Sequence, residues 1–379
     1  MARVMHELSD WPAFRWDRER LIDALAAVRY NQGRLIGRME SLGFSLREQA
    51  VLRTLTLDVL KSSEIEGEFL DPDRVRSSIA DRLGIGEKLW LPPDLRVDGV
   101  VDVMLGATQQ YAHPLTAERL YGWHALLFPS SFSGGHRIRV GVWRDDARGP
   151  MEVVSGEVDP ERRTVYFEAP AADRVPAEMA AFLRWFDASW MPPERGGLDS
   201  VLRAGIAHLW FVTIHPFDDG NGRIARAIMD MALAQSENSA LRFYSMSAQF
   251  RRERKAYYAM LEATQKRGDL DITAWLEWFI AGLDRALAHV DAELDLVLRK
   301  AQFWDKHRGT PLNPRQTNML NRLLDGTVEN LTSSKWAKII GGGLSHDTAL
   351  RDIAALIVLG ILVKDPGEGG RSTRYLLVR

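Results

Sequence analysis

Apolar residues recur every three to four positions through Leu21–Met39 and again through Leu46–Ile65, where Val51, Leu55, Val59 and Leu60 share a face. This spacing predicts two amphipathic helices. Ser45, followed three residues later by Glu48, reads as a capping box opening the second helix. Gly67 is placed to stop that helix, because glycine tolerates the left-handed geometry beyond a helix C-terminus. Pro72 and Leu91-Pro92-Pro93 punctuate the chain before a further helical run over Val97–Tyr111. Met151–Val154 and Thr164–Phe167 are short β-prone pieces around a turn-rich centre, Gly156–Arg163, which predicts a hairpin. Helical periodicity resumes over Ala177–Ser189 and Ser200–Ile214, breaks at His215-Pro216, and restarts within Gly222–Gln235. It continues over Arg251–Gln265 and Ile272–Phe303.

The stretch Arg308–Pro314 is the best linker. Helical pieces follow at Arg315–Leu324, Ser333–Ile340 and His346–Leu359, then strand-like runs at Ile361–Lys364 and Arg374–Val378 around the turn Asp365–Gly370. Three helices and a hairpin are the outline of a winged helix. The expected fold class is mainly α, with a helical core, a β-hairpin and a C-terminal winged-helix domain. The expected domains are 1–95, 96–304 and 313–379.

Composition narrows the class. The chain has 379 residues, 46% hydrophobic and 26% charged, with a formal net charge of -2. That is an ordinary globular balance, without the basic excess of a general polyanion binder. No cysteine is present, so disulfides and thiolate metal sites are excluded. The first residues lack a signal-peptide pattern and the longest apolar runs are far short of a membrane span, so a cytoplasmic protein with no membrane partner is expected.

The candidate chemistry lies between two apolar helical runs. Gly220 and Gly222 open a helix, whose first N–H groups and dipole converge on one point and favour an anion. Glycines there let the backbone approach phosphate oxygens. Arg223 and Arg226, three apart, share a helix face and can reach phosphates. Asp219 can hold a divalent metal bridging phosphate oxygens. His215, at the end of the incoming helix, is suited to take a proton from a hydroxyl. Each residue alone has an ordinary structural explanation; their conjunction points to chemistry.

The run His215-Pro216-Phe217-Asp218-Asp219-Gly220-Asn221-Gly222-Arg223-Ile224-Ala225-Arg226 resembles the Fic signature HPFx[DE]GNGRxxR at every defined position. Fic proteins are mostly protein adenylyltransferases, which move AMP from ATP to a Ser, Thr or Tyr hydroxyl. The resemblance implies that His215 is the general base and Asp219 the Mg2+ ligand. It implies a nucleotide site built from Phe217, Asp218, Gly220, Asn221, Gly222, Arg223 and Arg226, with Arg223 on the β-phosphate and Arg226 on the γ-phosphate. The family's kinase branch has lysine at the position of Gly222, so glycine favours nucleotidyl transfer. The resemblance further implies that the 151–167 hairpin is a flap aligning a protein substrate by strand addition. Arg254-Lys255-Ala256-Tyr257-Tyr258 resembles the adenosine-side helix, which would bring Tyr257 and Tyr258 to the nucleotide.

Ser62-Ser63-Glu64-Ile65-Glu66-Gly67 resembles the family's inhibitory motif, [ST]xxxE[GN]. Ser62 and Glu66 lie one turn apart on one helix face, and a carboxylate there is expected to form a forked ion pair with Arg226. In some relatives the same glutamate supports removal of AMP, which leaves de-AMPylation open. Residues 11–83 and the C-terminal helices look like those of a bacterial Fic subgroup that ends in a winged helix and often dimerises. A DNA-binding regulator is the alternative. Residues 313–379 carry nine Lys and Arg against six Asp and Glu, a thin surplus for binding a phosphate backbone.

Overall fold

The computed structural model describes residues 4–41, 44–85, 94–154, 165–190, 197–324, 328, 331–340, 345–365 and 373–378. It divides into two compact units, Met1–Ala288 and His289–Arg379. The fold is mainly helical.

In the first unit, α1 (Arg18–Glu40) is capped by Asp17, and α2 (Phe44–Ile65) carries Ser62 and ends just before Glu66. Helix α2 already runs at Ser45. Next comes α3 (Pro72–Leu83), where the sequence reading saw only punctuation. Asp71 accepts from the Arg74 N–H as its N-cap, and Pro72 occupies the first turn, where its missing donor costs nothing. Helix α4 (Leu95–Gln109) follows, then α5 (Ala117–Leu127), capped by Thr116 and also unanticipated. These two pack almost backbone to backbone: a Cβ on Gly99 would lie 1.9 Å from the Leu126 carbonyl oxygen.

Two short antiparallel strands, β1 (Phe132–Ser133) and β2 (His136–Arg137), precede the expected hairpin of β3 (Glu152–Val154) and β4 (Val165–Glu168). In that hairpin Val153 pairs with Phe167 and Glu152 with Glu168. Its expected turn, Gly156–Arg163, lies outside the described residues.

Helix α6 (Val175–Ala188) packs on α7 (Ser200–Ile214), and α7 packs on α8 (Asn221–Glu237). Every α7 residue from Val201 to Ile214 is buried. A helix apolar on all sides belongs in the centre of a core, and this one delivers its C-terminus to the loop at 215–220. The predicted single helix over Arg251–Gln265 is two, α9 (Met246–Arg252) and α10 (Arg254–Gln265), broken at Glu253. The carboxylate of Glu253 is held by Arg285 of α11 (Thr273–Lys306) and by Gln249.

The second unit contains α12 (Pro314–Leu324), α13 (Ser333–Ile340), α14 (His346–Val358) and the antiparallel pair β5 (Leu362–Lys364) and β6 (Tyr375–Leu377). Trp336, Met319, Leu320, Ile353 and Leu356 are its buried centre. Asp352 is buried and held in a fork by Arg315, with Asn313 adding a third bond. Part of the expected 365–370 turn lies outside the described residues. Among the described residues no helix is long and apolar enough to cross a membrane.

Candidate functional site

The loop between α7 and α8 is built by local rules. Pro216 ends α7, and His215 caps it in the left-handed conformation, φ 52°, with its N–H on the Phe211 carbonyl at 3.0 Å. That backbone region costs a non-glycine residue about 1–3 kcal/mol, so surrounding structure must hold it. Asn221 closes the loop: its Oδ1 accepts from the Phe217 N–H at 3.0 Å and its Nδ2 donates to the Phe217 carbonyl at 2.8 Å. Gly220, φ 77°, turns the chain into α8. The first N–H groups of α8 then have no acceptor within the helix, which makes this end suited to an anion.

The loop is braced from below. The Phe217 ring is fully buried and stacks on His124, with centroids 4.2 Å apart and planes 7° from parallel. His124 Nδ1 accepts from the Gly141 N–H, which leaves the proton on Nε2, directed to the Asp219 carbonyl at 3.2 Å. Burial pushes the His124 imidazole down to about 4, so it stays neutral. Ser133, on β1, donates to the Asp219 carboxylate. Asp218 accepts from the Arg139 N–H at 2.9 Å.

A cavity of roughly 730 Å3 opens over this loop. His215, Asp219, Gly220, Asn221 and Gly222 form one wall, and Val153 and Phe167 of the hairpin another. Tyr257, Tyr258 and Gln265 of α10 complete it, and Glu66 projects into it. The structure therefore brings together His215, the loop glycines, Asp219 and both tyrosines. Phe217 and Asp218 do not reach the cavity; Phe217 belongs to the core, and Asp218 is spent on the 139 backbone. Asn221 is a wall residue whose amide is committed to the loop itself. Tyr257 is 2% exposed, with its hydroxyl 2.8 Å from His208 Nε2.

Burial pushes the pKa of the His215 imidazole down to about 4, opposed by its bond to the Val212 carbonyl and assisted by the nearby Arg144 charge. It is thus a neutral acceptor at neutral pH. Asp219 is the one carboxylate that the loop itself places on the cavity wall. That suits Mg2+, which takes one or two protein carboxylates and fills its remaining positions with water and substrate phosphates.

Both arginines of the loop are occupied. Arg226, fully buried, donates through Nη2 to Glu66 Oε1 at 2.7 Å and to the Ser62 carbonyl at 2.9 Å, while its Nε reaches Ser62 Oγ at 2.9 Å. The expected forked pair is single-ended: one Glu66 oxygen meets Nη2, and Ser62 takes the Nε–Nη2 edge. Its Nη1 has no hydrogen-bond partner. Arg223 donates to Glu68 Oε2 at 2.7 Å and lies over the Phe128 ring. Glu68 carried no signal in the sequence. The chain reaches it because α2 closes in a Schellman turn: the Glu68 N–H bonds the Ser63 carbonyl, the Gly67 N–H bonds the Glu64 carbonyl, and Gly67 has φ 83°. Glu66 and Glu68 then fall on opposite sides of one turn, each against an arginine. A Cβ on Gly222 would sit 2.2 Å from Glu66 Oε1, so only glycine leaves the carboxylate this seat.

A mainly helical unit presenting this loop defines a class, and the comparisons agree on it. Residues 114–233 match the Fic/DOC family. Residues 5–85 match a domain of unknown function, DUF4172. Similar curated proteins include a uridine 5'-monophosphate transferase of Xanthomonas campestris pv. campestris (strain 8004), 30% identical over 121 residues, which are 32% of this chain and 21% of that protein. Protein adenylyltransferase fic-1 of Caenorhabditis briggsae is 37% identical over 71 residues, 18% of this chain and 13% of its own length. The chain thus spans about a fifth or less of these relatives. Among solved structures, a Fic family protein from Desulfovibrio desulfuricans G20 shares the fold, with TM-score 0.51, 20% identity, and 94% of this chain and 96% of that one covered.

Proposed function

We propose that this chain is a nucleotidyltransferase that moves AMP from ATP to a protein hydroxyl and is held inactive by its own α2 turn. The observation that carries the reading is the neutral His215 imidazole on the wall of a nucleotide-sized cavity, beside the free N–H groups of α8. In the reaction the acceptor oxygen attacks the α-phosphorus, the bond to the bridging oxygen breaks, and pyrophosphate leaves. His215 takes the acceptor's proton. Asp219 would hold Mg2+, which supplies charge neutralisation on the phosphates. The α8 N–H groups and the two arginines bind the negative charge that builds up. Val153 and Phe167 belong to a two-stranded hairpin whose outer edge can add a strand from the acceptor protein.

The Glu66 and Glu68 contacts support autoinhibition, since an arginine committed to a carboxylate is not free for phosphate. Opening a charged hydrogen bond worth about 1.5–3 kcal/mol sets the expected activation of Glu66→Gly at roughly ten- to hundredfold. The test is intact-mass analysis of Glu66→Gly with Mg2+ and each nucleoside triphosphate, beside wild type and Glu66→Gly/His215→Ala. Self-modification by ATP that disappears without His215 supports the reading; no covalent increment with any nucleotide sinks it. A UMP increment would instead assign the base preference of the Xanthomonas relative. We further infer that the second unit is a winged-helix module for dimerisation or docking, rather than for DNA. Sedimentation of the full chain with and without duplex DNA checks both.

A further inference from the structure

We infer that Arg144 is a positioning residue that holds the His215 imidazole and the hairpin in one frame, so that base and docked acceptor meet in register. The inference rests on the nucleotidyl-transfer reading for its purpose, but its geometry stands alone. The strained turn at His215 exposes two consecutive carbonyls, and one residue takes both. Arg144 Nε donates to the His215 oxygen at 2.8 Å, and its backbone N–H donates to the Pro216 oxygen at 2.9 Å. The same guanidinium donates through Nη2 to the Pro170 carbonyl. Pro170 lies two residues beyond the end of β4, and the Ala169 N–H between them bonds the Met151 carbonyl beside β3. Nη1 pairs with Asp146 at 3.0 Å, and the other oxygen of that carboxylate takes the Ala172 N–H at 2.7 Å.

The Arg144 side chain is wholly buried. Burying a cation carries a desolvation cost that an apolar side chain of similar volume would avoid, so filling space does not explain it. What a guanidinium offers is several donors in one rigid plane. Here that plane spans the catalytic loop on one side and the root of the hairpin on the other. The His215 carbonyl lies 71 positions from residue 144 and the Pro170 carbonyl 26, and Arg144 bonds both.

The full-length chain carrying Glu66→Gly is the starting protein, with Arg144→Met and Arg144→Lys added separately. Misplacing a reacting group by about 1 Å costs on the order of 100-fold. The Met variant should therefore lose about 100-fold in kcat for transfer, while ATP KM and ADP affinity hold. The Lys variant, able to reach one acceptor, should recover part of the loss. Crystal structures of both variants should show the Met protein with the 215–216 backbone turned from its left-handed geometry and the Lys protein nearer to it. A kcat that is unchanged, or that falls in step with ADP affinity and melting temperature, overturns the inference. So does an undisturbed loop in the Met crystal. If the Met protein does not fold, the Lys protein carries the same kinetic and structural criteria. If the Glu66→Gly parent transfers no nucleotide, the functional reading fails, and the loop geometry still decides the place of Arg144.

Discussion

Glu66 and Glu68 are separated by one glycine and reach two different arginines. The Glu66 contact is with a fully buried guanidinium, whereas Glu68 is 45% exposed on its side chain. Arg223 is buried, but the pair is open to solvent through Glu68, and a pair so screened contributes about 1 kcal/mol or less. Glu68→Gln in the Glu66→Gly background should therefore tighten ATP by about fivefold or less, read as KM, with kcat nearly constant. A change in kcat without KM would show that Arg223 does not meet the ground-state nucleotide. His215 sets the pH dependence at this scale. The base must be unprotonated, so transfer should be flat from neutral pH upward and fall as pH drops toward the imidazole value of about 4. A pH–rate profile centred near 6.5 would mean that the imidazole is not buried in the working state.

At the scale of elements, the proposed autoinhibition is a property of how α2 ends. The Schellman turn needs Gly67 at φ 83°. An L-residue there costs about 1–2 kcal/mol, and the turn can relieve that strain by unwinding, which withdraws both carboxylates. Gly67→Ala should lower the melting temperature and raise basal labelling together. Lower stability with unchanged labelling would separate the turn from the brake. Element boundaries were legible where pattern and capping agreed, as in α7 and α8. Helix α3 was missed although its signal was present: Asp71-Pro72 reads as a stop but works as an N-cap followed by proline in the first turn. The split of α9 from α10 had no such local signal. It depends on Glu253 meeting Arg285, a residue 32 positions away.

Over the whole molecule, buried histidines link stability to pH. His6, His124, His208 and His215 are all lowered by burial, the last three to about 4, 3 and 4. Unfolding exposes them, and the unfolded chain then binds protons below about 6.5 that the folded chain refuses. Stability should be complete above that pH and decline as pH falls toward 4. Chemical denaturation at a series of pH values measures the slope, and His124→Gln should reduce it. A flat profile over that window would contradict the burial of these rings.

What the sequence determined by itself is the content of one contiguous loop: residues His215 to Arg226 lie within a dozen positions, so proline, glycine and helix rules set its course, while the left-handed turn at His215 is held by bonds from outside it. It also determined the alternation of helices and the hairpin strands, because periodicity is local. Only the tertiary structure decided what surrounds the loop. Glu68, Ser133, His124 and Arg144 come from segments 71 to 155 residues away in the bonds they make to it. A hydrogen bond across such a separation depends on packing, which leaves no periodic trace in the chain. The same holds for Arg226, which meets Ser62 and Glu66 across 164 and 160 positions.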